Sequence, residues 1–492
     1  MPGDQRAATA TFESHQERMA ADLGRRGVSD LENATIVVLP SITFPPEELK
    51  KIIGIQYYEE RMLCMLLLLR RARMEIVYLT SVPIDPTIID YYLGFLPDPE
   101  DARRRLHLVT INDPEPRALS EKLLERDGAI AEVSSALRDA GSSYLFPFNV
   151  TWAEHELSER MGIPLYGPHP EQVALGSKSG SRRVARVAGV PVLEGAEDLY
   201  SVGEIEGAIA HIREKRPSCR AVVVKLNNGF SGQGNVIIDL DRLVLPLTMT
   251  DAVFCAVEES WATFVPKVEK EGAIVEELVR EPGAVSPSVQ MRIFADGEYE
   301  VVSTHDQILG GPDDQVYLGC RFPSRHDYRM RIQAYGLGIA RELASHGVIG
   351  SFGVDFVIPP SGNVYLTEIN LRLGGTTHPF LMARFVTEGA YDMASGKLMV
   401  GERAKCYVAT DNLKSTDYIG LLPSDVIGAV REAGLAYNAE TETGVALHLL
   451  GALQEYGKLG MTCIGDSLVQ ADDLFGEATR VLEGLASLRR AT

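Results

Sequence analysis

Residues 351–379, SFGVDFVIPPSGNVYLTEINLRLGGTTHP, leave little choice of local structure. Residues 351–358 are β-branched and aromatic, Pro-Pro-Ser-Gly at 359–362 makes a reversal, and 363–371 returns as a second strand. Side chains alternate along a strand, so Leu366, Glu368, Asn370 and Arg372 share one face. With 359–362 as the whole turn, Asp355 pairs opposite Leu366 and joins that face. Two carboxylates, an amide oxygen and a guanidinium then gather on an otherwise apolar hairpin. Gly374 and Gly375 let backbone come close to whatever binds there. A solvated sheet surface has the same pattern. Oxygen-only donors at this spacing suit Mg²⁺, which binds through one or two carboxylates plus substrate phosphates. The metal reading therefore needs a phosphate site upstream.

Residues 221–239, AVVVKLNNGFSGQGNVIID, supply a candidate. A strand carrying Lys225 runs into the Gly- and Asn-rich loop 227–234, and a second strand follows. Such a flap can lay backbone N–H groups over phosphates, with Lys225 reaching back to them. The same composition also makes a plain flexible hairpin. Residues 272–279, GAIVEELV, read as an apolar strand ending in Glu276-Glu277, either a hinge whose edge pairs with adenine or an ordinary edge strand. A basic helix over 170–188 carries Lys178 with Arg182, Arg183 and Arg186, a pattern that also fits a solvated face. Its Gly176-Ser-Lys-Ser lacks the upstream glycine of a P-loop.

A chain of 492 residues is too long for one ordinary core and should divide into about three domains. Residues 1–33 are polar and charged, lack the apolar segment of a secretory signal, and read as a mobile arm. Over 34–168, strands at 35–39, 75–79, 106–110 and 144–147 alternate with helices, which predicts an open parallel α/β sheet. No Gly-x-Gly-x-x-Gly follows the first strand, so the dinucleotide fingerprint is absent. Residues 169–400 hold the flap, hinge and hairpin. Residues 401–492 read as a small α/β cap, with strands at 443–452 and 458–465 and a helix at 467–488. The apolar run 62–69 is far below the ~20 residues of a membrane span. Six scattered cysteines without C-x-x-C point to reduced thiols in a cytoplasmic protein. A net charge of −20 with no basic run argues against a nucleic-acid partner.

In order, the parts are an α/β domain, the Lys178 helix, the Lys225 strand and flap, the hinge, Asp355, and Glu368-x-Asn370-x-Arg372. This order resembles the ATP-grasp carboxylate–amine ligases over residues 167–400. The run Arg372-Leu-Gly-Gly-Thr-Thr-His-Pro is most similar to peptide and amino-acid ligases of antibiotic biosynthesis, the pheganomycin type. The resemblance implies an α/β ATP-grasp fold with an N-terminal open parallel domain and a small C-terminal cap. It implies that Lys178 and Lys225 contact ATP phosphates under a flap that includes Gly229, Ser231, Gly232 and Gly234. Glu276, Glu277, Leu278 and Val279 would hold adenine, and Glu281 the ribose. Asp355, Glu368 and Asn370 would bind Mg²⁺, with Mn²⁺ as the alternative ion, and Arg372 would stabilise the transferring phosphoryl group. Arg292, His305, Asp306, Gly374, Gly375, Thr376 and His378 remain open to substrate contact or to structural roles.

The implied reaction joins a carboxylate donor to an amine acceptor, each an amino acid or peptide, through an acyl phosphate, releasing ADP and phosphate. Phosphoryl transfer needs charge neutralisation and positioning rather than a side-chain nucleophile, which suits a chain with no Ser-His-Asp or Cys-His pattern. An ATP-grasp phosphotransferase, an ester-forming ligase and a non-catalytic ATP-binding regulator are the alternatives. Expected partners are small molecules, with neither nucleic acid nor membrane, and a homodimer is left open.

Overall fold

In the computed structural model, which describes residues 2–229, 234–243, 252–256, 259–310 and 316–491, the strands form three sheets. The first contains β1 (Asn33–Leu39), β2 (Arg73–Thr80), β3 (Leu106–Thr110) and β4 (Ser143–Pro147), in the order β3-β2-β1-β4. Every pairing is parallel. Helices cover both faces, so the strands are continuous apolar runs: all of β1 after Asn33 is buried.

The segment expected to be a mobile arm is instead a helix, Pro2–Leu23. Phe12, Met19 and Leu23 fall on one helical stripe and are buried, and Gln16 exchanges hydrogen bonds of 3.0 and 3.1 Å with the backbone of Leu165. The charged residues between those anchors hide the stripe in the sequence.

The second sheet holds β5 (Gly195–Leu199), β6 (Ala221–Leu226), β7 (Asn235–Asp239), β8 (Ala252–Phe254) and β9 (Ala273–Glu277), in the order β5-β9-β6-β7-β8. Ile209 and Ile212 of helix Val202–Lys215, with Phe264 and Val268 of helix Trp261–Glu271, cover it with a core of its own. Lys267 and Lys51 both bind Glu48 at 2.9 Å, and both also bind Glu259, which ties this unit to the N-terminal one.

The third sheet has ten strands: β10 (Pro287–Ile293), β11 (Tyr299–Gly310), β12 (Val316–Phe322), β13 (Gly350–Val357), β14 (Tyr365–Asn370), β15 (Ala390–Asp392), β16 (Lys397–Val400), β17 (Arg403–Lys414), β18 (Gly444–His448) and β19 (Lys458–Gly465). Helix His326–Ser345 packs on β10 and β11 through Tyr328, Ile332 and Ile339. The small cap expected after residue 401 is not a separate layer. β17 pairs with β12 on one side and β19 on the other, so the C-terminal strands extend the sheet that carries β13 and β14. One apolar core runs from Ile36 and Tyr78 of the first sheet, through the buried run 62–69, to Tyr407, Met461 and Leu482. Among the described residues no helix is long and apolar enough to cross a membrane.

Candidate active site

The hairpin of β13 and β14 forms the floor of a cleft of about 1140 Å³. Asp355 stands directly opposite Glu368, two residues beyond the partner expected from the sequence. A bulge accounts for the shift: Phe356 pairs with Leu366, so Thr367 is the extra residue on β14. Leu366 is thereby turned into the core, away from Glu368, which corrects its expected place on the polar face. Asp355, Glu368, Asn370 and Arg372 all line the cleft.

These groups are bonded to one another. Asn370 Nδ2 donates to Asp355 at 2.9 Å, and Arg372 donates to Asn370 Oδ1 at 2.9 Å and to the Leu373 carbonyl at 2.8 Å. Gln307, from β11, donates to the other Asp355 oxygen at 2.7 Å. Burial, then the adjacent Glu368 charge, pushes Asp355 up to about 7. Burial also opposes charge on Glu368, but Lys178, Arg372 and Lys225 outweigh it and hold that carboxyl below its ordinary range. Two carboxylates forced together out of water favour a shared cation. The donor set is hard oxygen from two acids and one amide, and among the described residues no cluster of three His, Cys, Asp or Glu side chains could hold a metal. That set fits Mg²⁺, whose remaining positions go to water and phosphate.

The lysines arrive from two other elements. Ser177 caps helix Lys178–Val187 by accepting from Gly180 N–H at 3.0 Å. Lys178 on its first turn reaches Glu368 and donates to the Gly229 carbonyl at 3.1 Å. Asn227 binds this helix start to the flap: its carbonyl accepts from Lys178 N–H at 3.1 Å, and its side chain from Ser179 N–H at 3.0 Å. Lys225 on β6 binds Glu276 on β9 at 2.8 Å, and Arg182 holds the other Glu276 oxygen at 2.9 Å, fully buried.

Gly229 and residues 276–281 also line the cleft. Gly234 takes φ +79°, a conformation that favours glycine, while Ser231 and Gly232 lie outside the described residues. Gly374, Gly375 and Thr376 form the rim beside Arg372.

Four residues left open to substrate contact or to structural roles are not brought to the cleft. His305 is buried, shares a 2.6 Å hydrogen bond with the Tyr407 hydroxyl, and is lowered by burial to about 3, so it is a neutral core imidazole. Asp306 accepts from Tyr328 at 2.6 Å and from Arg325 N–H at 3.0 Å, anchoring the start of helix His326–Ser345. Arg292 pairs with Asp30 at 2.8 Å and with Glu300, pinning the N-terminal segment to β10. His378 is buried with its ring 4.7 Å from His448, edge to face.

The cleft also holds groups the sequence reading passed over. Gln307 is one, although alternation along β11 places it on the face of His305. Tyr58, Arg61, Asp411, Lys414 and Lys458 are others, drawn from the N-terminal unit and from β17 and β19. Arg61 follows Glu59 and Glu60 just ahead of the apolar run 62–69, where it reads as part of a charged surface turn, and nothing local links it to residue 458.

The sequence is 32% identical over 464 residues to L-propargylglycine--L-glutamate ligase of Streptantibioticus cattleyicolor, covering 92% of this chain and 94% of that one. The chain belongs to the ATP-grasp ligases. It is an ATP-dependent carboxylate–amine ligase. A family model described as IQCH-like, ATP-grasp matches residues 247–394, and one described as PGM1 C-terminal domain matches 425–475. Solved ATP-grasp structures share the fold at low identity. A Campylobacter jejuni biotin carboxylase in complex with β,γ-ATP superposes with a TM-score of 0.55 at 14% identity over 89% of each chain. The biotin carboxylase domain dimer of Hydrogenobacter thermophilus 2-oxoglutarate carboxylase, in complex with MgADP and bicarbonate, gives 0.54 at 14%, over 90% of this chain and 89% of that one. ATP-grasp relatives are thus described with adenine nucleotides and magnesium.

Proposed function

We propose that this ATP-grasp ligase activates the carboxylate of an amino acid, or a derivative of one, as an acyl phosphate and passes the acyl group to the amine of an amino acid or peptide. The work belongs to natural-product biosynthesis, in line with the relative named for joining L-propargylglycine to L-glutamate. The observation that carries the reading is one cleft in which Lys178, Lys225 and Arg372 surround the Asp355–Glu368 pair.

In this reading Lys178 and Lys225 exchange their carboxylate partners for ATP phosphates, under the flap that begins at Gly229. Residues 276–279 receive adenine and Glu281 the ribose. Asp355, Glu368 and Asn370 would hold Mg²⁺, and Mn²⁺ would serve in the same oxygen set. When bound, the ion neutralises phosphate charge and aligns the γ-phosphoryl group. Arg372 supplies counter-charge as an oxygen of the donor carboxylate bonds to the γ-phosphorus and ADP departs. The amine nitrogen of the acceptor then bonds to the acyl carbon. Phosphate leaves with the C–O electron pair, and the surplus amine proton passes to solvent. Gly374, Gly375 and Thr376 shape the rim on which the acyl group lies. A homodimer, the state described for the Hydrogenobacter domain, and a cytoplasmic location suited to six free cysteines complete the proposal.

The test pairs amino acids and short peptides as donor and acceptor and follows ADP release, with phosphorus NMR of the products. ADP and phosphate, with a hydroxamate when hydroxylamine replaces the amine, are expected. AMP and pyrophosphate would overturn the mechanism.

A further inference from the structure

The cleft has a second charged end that none of the steps above uses. It is built from Tyr58 and Arg61 of the N-terminal unit, Asp411 and Lys414 of β17, and Lys458 of β19. Lys414 and Lys458 are direct partners across the β17–β19 ladder. Like charges placed opposite each other on neighbouring strands repel, so this pairing calls for an anion.

Arg61 adds a third cation, its guanidinium 4.2 Å over the Tyr58 ring, and the Lys458 ammonium lies 4.7 Å from the same ring centroid while bonding its hydroxyl. Asp411, paired with Arg61, is the acid of the group, and Lys414 is exposed with no ion-pair partner among the described residues. Arg61 Nε is buried without a hydrogen-bond partner. Three cations around one acid stand out in a chain of net charge −20. Burial lowers Lys458 to about 8, with Arg61 acting in the same direction against Asp411, and a bound anion would raise it again.

We propose that this end of the cleft anchors the free carboxylate of the amine acceptor. The inference rests on the ligase reading above and names the acceptor's class: an amino acid or short peptide with an ionised carboxylate. Position argues for the acceptor rather than the donor. Arg372, which meets the donor's carboxylate in that reading, lines the same cleft and is bonded to Asn370, so the two carboxylates have separate cations within one cavity. In an amino acid the amine and carboxylate share one carbon. A carboxylate held by Arg61, Lys414 and Lys458 therefore keeps an α-amino acid's amine, or one peptide unit further out a dipeptide's, inside the cleft that Gly374, Gly375 and Thr376 also line. Holding that carboxylate apart also keeps it from being phosphorylated in place of the donor's.

The experiment uses a panel of the standard L-amino acids and L,L-dipeptides, each as the free acid and as the C-terminal carboxamide. It measures acceptor KM by ADP release and, independently, binding by saturation-transfer NMR with the non-hydrolysable β,γ-methylene ATP analogue present. The acid form of an acceptor should bind and react at least about tenfold better than its carboxamide. Lys414→Glu, on an exposed side chain, and Lys458→Met should each raise KM for the acid about tenfold while leaving the carboxamide and ATP within about twofold, so the gap closes. Equal use of acid and carboxamide by the wild type, or equal loss for both forms in the two variants, overturns the anchor. Acid-selective binding that Lys414→Glu abolishes, with no ADP released by any pair, would uphold the anchor and overturn the ligase substrates proposed above.

Discussion

Lys178 and Glu368 stand 190 residues apart in the chain and meet as an ion pair at the base of the cleft, joining the first turn of a helix to the β13–β14 hairpin. The helix of Lys178 packs on the strand of Glu368, with Ser181 accepting from Ile369 N–H at 2.9 Å, so the contact is set by that packing. In the proposed reading both residues change partners when nucleotide and metal enter. Glu368→Gln keeps the shape and removes the charge. Turnover should fall at least about 100-fold, the scale of losing one preorganised polar group, with an unchanged far-UV CD spectrum. Magnesium titration of ADP release measures it, and wild-type turnover in excess chelator would remove the metal assignment.

Arg372 is held by Asn370 and the Leu373 carbonyl, facing the carboxylate pair. Arg372→Ala should lower kcat by about 10²–10³-fold and change ATP affinity little, because its contribution is made in the transition state. Nucleotide binding by calorimetry beside steady-state kinetics separates the two. Equal losses in both would recast Arg372 as an ATP-binding group.

The two rim glycines should behave differently. A Cβ on Gly375 would lie 2.6 Å from the Tyr317 ring, whereas the nearest atom to one on Gly374 is Arg372 Nη1 at 4.0 Å. Gly375→Ala must displace the rim and should lower kcat/KM about tenfold or more, while Gly374→Ala stays within about threefold of wild type. The same kinetic assay on both variants decides the point.

Glu60 gives a pH signature away from the reacting groups. It is buried, accepts from Gly451 N–H at 3.0 Å, and is pushed up to about 8, first by burial and then by Asp85 and Glu59. A raised carboxyl binds more protons in the folded state than in the unfolded chain, whose value is 4.5. Its stabilising contribution is therefore complete below 4.5 and is lost as pH rises through 8. Glu60→Gln keeps an acceptor for Gly451 without titrating. The Tm of the variant minus that of the wild type should grow steadily between pH 5 and 8, read by differential scanning calorimetry. A constant difference would place Glu60 in its ionised form.

The parts of the site that lie close in sequence were legible in it. Alternation put Glu368 and Asn370 on one face, and Lys225 was readable as lying on a strand ahead of a glycine-rich stretch. The bulge at Thr367 was not, because a bulge is a property of two strands and leaves no mark in either. The first parallel sheet was visible from its apolar runs. The N-terminal helix was not, since three anchors in Pro2–Leu23 are outnumbered by polar residues. Arg292, His305 and Asp306 looked available because polar side chains in strands suggest a surface. Only the partners Asp30, Tyr407 and Tyr328, drawn from distant segments, settle them inside the structure.

The long strand Arg403–Lys414 bears on how such ligases are recombined. Because it is stitched to Val316–Phe322 as well as to Lys458–Gly465, a junction at residue 401 would leave β12 of one parent to pair with β17 of the other, and a mismatch there would bare a strand edge on each. Chimeras that exchange the C-terminal portion between relatives should aggregate unless the graft carries β12 with it. Swapping acceptor preference is then a task for point changes within the cleft, not for trading whole segments.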